Sequence, residues 1–221
     1  NLKAYQFANF ISVASQHVKE SFLLHQYPEN RIFVNPYGVD LSMFKPLPNI
    51  PKKYDVIMVG GWGYEKGCDL IVEAIRKTNY SFIHVGSIKD VDFPQEKNFT
   101  HIDPVDQSKL IEYYNQAKAF ILLSRQDGFG MVLSQALACN LPIIGSNNCG
   151  APDLKKMVEL PEYITIIKDY TADAIVTAIH TAIKNYEQLG ERIYAGNAIE
   201  NLTWEAYGKR YANFLHKIIK Q

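Results

Sequence analysis

Along almost the whole chain, short apolar runs bounded by turn residues alternate with amphipathic segments, and that pattern restricts the fold to repeated strand–helix–strand units on a parallel sheet. Strands are expected near 10–15, 31–35, 55–60, 81–86, 99–103, 119–124, 141–146 and 163–167. Helices fit near 16–26, 66–77, 106–117, 130–139, 152–158, 171–187 and 203–219. The helix at 106–117 follows an Asp103-Pro104 breaker, has Asp106 as its expected cap and sets Leu110, Ile111, Tyr114 and Ala117 on one face. The expected class is α/β, with a parallel sheet flanked by helices.

A chain of 221 residues, 47% apolar and 21% charged, can bury one large α/β core. Lys plus Arg and Asp plus Glu are 23 each, so the net charge is zero and no basic run offers a footprint for nucleic acid. Cys68, Cys139 and Cys149 are scattered and odd in number, without the C-x-x-C spacing of zinc or redox sites, which points to a reduced, cytoplasmic setting. The six histidines include no pair at helical ligand spacing, so no protein-held metal is expected. The opening NLKAYQFANF lacks a basic leader with an apolar core, and no stretch has the length of a spanning helix. Residues 44–54, FKPLPNIPKKY, carry three prolines and read as a linker between an opening element and the main sheet.

The chemistry concentrates in residues 124–153, SRQDGFGMVLSQALACNLPIIGSNNCGAPD. A strand ends at Ser124, Gly128 and Gly130 free the backbone, and a helix begins near Met131 with Phe129 as a wall. Such a helix start presents unpaired N–H groups and a positive dipole end, which suits phosphate. Asp127 at the loop mouth suits a neutral polyol or a cation instead. Glycines after a strand also serve tight turns and close packing, so this loop alone decides nothing. Three further segments fall at strand C-termini, where an open parallel sheet places its crevice. They are NPYGVDLSMFKP (35–46), with Gly38 allowing positive φ and Asp40 available as a cap, GGWGYEKGCDL (60–70) and HVGS (84–87).

In order and spacing these segments resemble the donor-nucleotide half of retaining glycosyltransferases with the GT-B fold, the group related to glycogen synthase, sucrose synthase and bacterial α-mannosyltransferases. That group runs N-G-V-D-x-x-x-F-x-P, G-R-L-x-x-E-K-G-x-D, S-x-x-E-G-F-G-L-x-x-x-E-A-M-A-C-G-x-P-V-I and G-G-x-P-E. The resemblance spans residues 10–215 and includes the closing LTWEAYGKRYANFL. It implies one Rossmann-like half of a GT-B fold, with crossover and entry elements at 1–50, a nucleotide-sugar-binding domain at 51–200 and a C-terminal helix at 201–221.

Carried over residue by residue, the resemblance gives Lys66 the neutralisation of the diphosphate, which a flexible ammonium at a helix mouth can perform. Asp127 would grip donor-sugar hydroxyls. Gly128, Phe129, Gly130, Met131 and Val132 would face sugar and phosphate, Gly60 and Gly61 would let the diphosphate approach, and Pro104 and Val105 would border the base. Two positions depart. Gly61 stands where the group has arginine, with Arg125 as candidate substitute, and Gln135 stands where a glutamate would accept from the ribose. The implied activity is hexose transfer from a nucleotide-diphosphate sugar such as UDP- or GDP-hexose, with retention and without cofactor or metal, the departing phosphate deprotonating the acceptor hydroxyl. The partner domain, which binds the acceptor and can dock on a membrane, would lie upstream, leaving this chain inactive alone. The competing reading is a degenerate, non-catalytic subunit that binds a nucleotide sugar or a partner protein. An epimerase or phosphorylase of the same architecture is a second enzyme reading, but no segment argues for the pyridoxal-anchoring lysine of a phosphorylase, and a dinucleotide oxidoreductase is disfavoured because no strand leads into G-x-G-x-x-G.

Overall fold

A computed structural model describes residues 5–189 and 196–220. Parts of the expected 1–50 and 51–200 units, at 1–4 and 190–195, lie outside the described residues. Six strands form one all-parallel sheet: β3 (Tyr54–Val59), β4 (Phe82–Val85), β5 (Phe99–Ile102), β6 (Ala117–Leu122), β7 (Ile143–Ser146) and β8 (Ile164–Ile167), in the spatial order β5-β4-β3-β6-β7-β8. This is a Rossmann-like order, in which the chain works outward from β3 on one side and then restarts beside it with β6. The central strands are apolar on both faces because helices cover both: Val56, Ile57, Ala119, Phe120, Ile121, Ile143 and Ile144 are all buried. A separate two-stranded parallel unit, β1 (Ile11–Val13) and β2 (Ile32–Val34), is joined by α1 (Gln16–Leu24).

The covering helices are α2 (Cys68–Arg76), α3 (Gln107–Asn115), α4 (Met131–Ala138), α5 (Ala151–Met157), α6 (Ala172–Leu189) and α7 (Trp204–Ile219). In α6, Ile175, Ala178, Ile179, Ala182 and Ile183 repeat at helical spacing, and all five are buried against α2 and the sheet. Burial of each isoleucine contributes about 2 kcal/mol. α7 is anchored differently. Thr203 caps it by accepting from the Ala206 N–H at 3.1 Å, and Phe214 stacks on Phe33 of β2 with centroids 4.2 Å apart. No helix among the described residues is long and apolar enough to cross a membrane.

All eight expected strands and all seven expected helices are present, and the differences are local. α3 stops at Asn115, so Ala117 opens β6 opposite Tyr54 rather than closing a helix face. The reason is Asn115, whose amide accepts from the Leu47 N–H at 2.7 Å and donates to the Lys45 carbonyl at 3.0 Å, tying the proline-rich stretch to the end of α3. Phe44 is buried there against Tyr114. Asp106 occupies the cap position of α3, but its side chain makes no capping bond. Asp40 does cap a turn, accepting from the Ser42 N–H at 2.8 Å. Gly38 is not at positive φ; a side chain there would overlap the backbone of Trp204 at the start of α7. The helix expected from residue 66 starts at Cys68, because Gly67 adopts φ +71° and separates a single turn at Tyr64–Lys66 from α2.

Gly67 also packs directly against the residue after β6, and an added Cβ would overlap the Leu123 carbonyl. Gly67→Ala is expected to destabilise the chain by about 2 kcal/mol or more, combining left-handed strain with overpacking, read as a shifted urea midpoint. The three thiols are buried, and desolvation of the thiolate pushes Cys68 and Cys139 up to about 12 and raises Cys149. Alkylation at pH 8 is therefore expected to be slow at all three sites in the folded chain and fast once denaturant is added, and rapid labelling of the native protein would contradict it.

Candidate functional site

The reversal of strand order between β3 and β6 leaves a gap at their C-terminal ends, because the connections that leave these neighbouring strands run to opposite sides. A cavity of about 350 Å³ occupies it. Its walls are Val59 and Gly60 from β3, Lys66 from the turn before α2, Leu122 from β6, the run Asp127–Val132, and Tyr37 from the segment after β2.

Each wall has a local cause. Gly60 leaves β3 at φ +131°, a conformation that side chains rarely adopt, and an added Cβ would meet nothing within 4 Å. The peptide edge is therefore bare toward the cavity. Gly130 turns the chain at φ +77° into α4, and the N–H groups of Met131 and Val132 find no acceptor among the described residues. Phe129 is buried and fixed from both sides. Its N–H donates to Asp127 Oδ1 at 3.2 Å, and the ring of Tyr37 meets it edge-on at 5.7 Å.

Across the gap, Lys66 Nζ and Asp127 Oδ2 are 2.6 Å apart, and the two side chains keep 22% and 15% of their exposure. The charges from the β3 side and the β6 side thus satisfy each other. A ligand that takes either must compete with this pair.

The remaining expected residues lie elsewhere. Arg125 does not line the cavity. Its guanidinium donates to both oxygens of Asp69 at 2.7 and 2.8 Å and to the Tyr64 carbonyl at 2.6 Å, and it sits 3.6 Å from the Tyr64 ring centroid. The Asp69 carboxylate raises its pKa further. Arg125 thereby clamps the β6 loop to α2. Gln135 is buried behind the wall, where its Oε1 accepts from the Tyr114 hydroxyl at 3.0 Å. Pro104 and Val105 follow β5, two strands from β3 and outside the cavity lining.

Three further residues carry no individual role in the sequence reading: Tyr37 and His84 stand within the segments 35–46 and 84–87, and Lys89 in none of the four. Tyr37 lies one residue before the glycine of N-P-Y-G-V-D, but its reach to Phe129 depends on how α7 holds that segment. Lys89 crosses the bare backbone of Gly61, with its Cε 2.6 Å and its Nζ 3.3 Å from where a Cβ on Gly61 would stand. A cation thus lies over the backbone of Gly61, delivered from the segment after β4, where Lys89 N–H donates to the Trp62 carbonyl at 3.0 Å. His84 is the third, buried beneath Gly60. Among the described residues no group of three or more His, Cys, Asp or Glu could hold a metal ion.

The pattern of the family described as Glycosyl transferases group 1 matches residues 41–198. A "Probable sucrose-phosphate synthase" from Thermosipho melanesiensis is 26% identical over 242 residues, covering 97% of this chain and 56% of its own length. A GDP-mannose-dependent alpha-(1-6)-phosphatidylinositol monomannoside mannosyltransferase from Mycolicibacterium smegmatis is 22% identical, covering 94% of this chain and 62% of its own length. Among solved structures, Anabaena HepE in complex with UDP and glucose superposes with a TM-score of 0.77 at 16% identity, over 97% of this chain and 65% of that one. The chain therefore spans less than two thirds of these relatives. With the pattern matched across most of its length and the Rossmann-like sheet in common, the chain belongs to the group 1 glycosyltransferases.

Proposed function

We propose that this chain is the C-terminal, donor-binding domain of a retaining glycosyltransferase that moves a hexose from a nucleotide-diphosphate sugar, such as UDP- or GDP-hexose, to an acceptor held by an upstream domain of a longer protein. The observation that carries this reading is the cavity at the β3/β6 gap, where a lysine, a carboxylate and helix-start amides without an acceptor among the described residues converge. A diphosphate accepts hydrogen bonds only, so the Lys66 ammonium and the Met131 and Val132 amides are its natural partners. A sugar hydroxyl can donate, so Asp127 is the partner of the sugar once the phosphate has taken Lys66 away. Charge grows on the leaving diphosphate as the glycosidic bond breaks, and fixed donors that meet that charge lower the barrier more than they stabilise the ground state. The departing phosphate then takes the proton of the acceptor hydroxyl on the same face of the sugar, which yields retention. No cofactor enters this scheme, and the setting we infer is cytoplasmic, with any membrane contact made through the upstream domain.

The competing reading, a nucleotide-sugar-binding subunit without catalysis, draws on the engagement of Arg125 and Gln135 in internal contacts. Titration of the chain with UDP, GDP and ADP, with and without magnesium, tests the donor site itself. Selective binding of one nucleotide is the expected result, and no binding by any of them to the folded chain would refute it. Transfer by the longer protein separates the enzyme from the binding subunit.

Because Lys66 and Asp127 neutralise each other, their variants are expected to move affinity for inorganic pyrophosphate in opposite directions. Lys66→Ala removes a charge-assisted partner and should weaken binding by roughly 10- to 100-fold. Asp127→Asn keeps an acceptor for the Phe129 N–H but frees Lys66, and should tighten binding by about 3- to 10-fold. Equal affinities across wild type and both variants, measured by calorimetry, would remove the pair from the site.

A further inference from the structure

We infer that His84 is a positioning residue of the donor cleft: it holds the Gly60–Gly61 peptide so that its N–H end is turned to the ligand, and His101 fixes the ring tautomer that allows this. The inference rests on the anion-binding role proposed above for the cavity.

His84 is fully buried in β4, and its Nε2 lies 2.8 Å from the Gly60 carbonyl oxygen. A carbonyl only accepts, so Nε2 carries the hydrogen. The other ring nitrogen, Nδ1, lies 2.9 Å from Nδ1 of His101, which is the registered neighbour of His84 on β5. Burial disfavours the charged ring and lowers the His84 pKa to about 4, leaving it neutral at ordinary pH, so its Nδ1 is a lone pair. His101 must then donate from its own Nδ1; its Nε2, 3.3 Å from Asp103 Oδ1, donates to that carboxylate only when the ring carries both hydrogens. The chain of contacts therefore runs from the surface to the cleft in one direction: His101 donates to His84, and His84 donates to Gly60.

The packing holds the rings in this arrangement. The two imidazoles meet edge to edge through their Nδ1 atoms, with centroids 5.0 Å apart and planes 17° apart, while Trp62 lies 5.0 Å from His84 and Phe93 4.5 Å from His101. Gly86 leaves a slot beside the Gly60 carbonyl, since a Cβ there would overlap that oxygen.

The lock matters because of the residue that it acts on. At φ +131°, Gly60 has no side chain to bias its peptide, so the plane between Gly60 and Gly61 can reverse at little cost. In a trans peptide the C=O and N–H point in opposite directions. With the carbonyl directed inward to His84, the Gly61 N–H is directed away from it, and it has no acceptor among the described residues. Reversal would present a carbonyl oxygen to the diphosphate where a donor is needed. His84 thus selects the donor face of the peptide, next to the Lys89 ammonium that crosses Gly61.

Imidazole ¹⁵N–¹H NMR of the 221-residue chain, together with calorimetric titration by inorganic pyrophosphate and UDP, tests this. Wild-type His84 is expected to hold its hydrogen on Nε2 between pH 6 and about 8, and His101→Phe to let that tautomer mix. His84→Phe keeps a ring of similar size without the donor and should weaken pyrophosphate binding by roughly 10-fold, while His84→Gln, which retains an N–H, should restore most of it. His101→Phe touches neither Gly60 nor the ligand, and a 2- to 5-fold weakening is expected, on the order of a softened single hydrogen bond. It keeps the test decisive if His84→Phe does not fold. A hydrogen on Nδ1 of wild-type His84, or unchanged pyrophosphate affinity in a folded His84→Phe or His101→Phe, would overturn the inference. Failure of the wild type to bind either probe would refute the proposed function and the anion-facing role together, while the NMR tautomer alone decides whether His101 controls His84.

Discussion

The pairing of β3 with β6 sets the position of everything else. Val56 lies beside Ala119 and Ile57 beside Phe120, so two strands separated by some sixty residues become neighbours at the centre of the sheet. Had β6 added beside β5, the connections would all leave on one side and the strand ends would be covered. Because it returns to β3, the two loops that follow β3 and β6 diverge and then face each other. Gly67 permits the approach, since only a residue without a side chain fits against the Leu123 carbonyl, and Arg125 fastens the two loops through Asp69 and Tyr64. The cleft is a consequence of strand order, and its width is set by these contacts.

Within that width the Lys66–Asp127 pair has a particular meaning. An ion pair with both members partly exposed adds little stability, because water screens it and the flexible lysine loses rotamer freedom. Its effect lies in what it keeps available. Without ligand the lysine is held at the cavity wall rather than extended into solvent, and the carboxylate is held where the phenylalanine amide also binds it. A ligand that carries both anionic and hydroxyl groups can satisfy the two charges separately, whereas a simple anion leaves Asp127 unpaired next to it. Self-neutralisation thus favours a ligand of mixed character over phosphate alone.

The sequence is a good guide to the elements and a partial guide to which residues line the candidate cavity, for physical reasons. Strands buried on both faces and helices with one apolar stripe carry their pattern locally, so each element could be read with its type correct. Glycine loops at strand ends were equally readable, and Gly60, Lys66, Asp127 and the 128–132 run do meet in one cavity. What could not be read was partner choice between distant segments. Arg125 has the right charge and lies near the right loop, but Asp69 and the Tyr64 ring take it. Gln135 has the right helix phase, but Tyr114 from α3 holds its oxygen. Lys89 stands 28 positions from Gly61 and reaches it only because the segment after β4 pairs with Trp62. The same holds for His84 and His101, whose contact exists only in the β4–β5 register.

The glycine loop of the cleft is also attached to parts of the chain outside the main sheet. Ser15, which caps α1, donates through Oγ to the Gly128 carbonyl at 2.7 Å, and the Gln16 N–H donates to Asp153 on α5 at 3.1 Å. Tyr37 touches Phe129 from one side while Trp204 and Tyr207 of α7 support it from the other. The contacts of Ser15 and Tyr37 converge on residues 128–129, the part of the loop without a strand or helix of its own. A glycine loop supported only by β6 and α4 would sample many conformations, and the entropy of fixing it would be charged to ligand binding. Contacts from α1, from the segment after β2 and from α7 meet that cost during folding. The opening βαβ unit and the last helix, though remote in sequence from the cleft, are therefore part of its preorganisation.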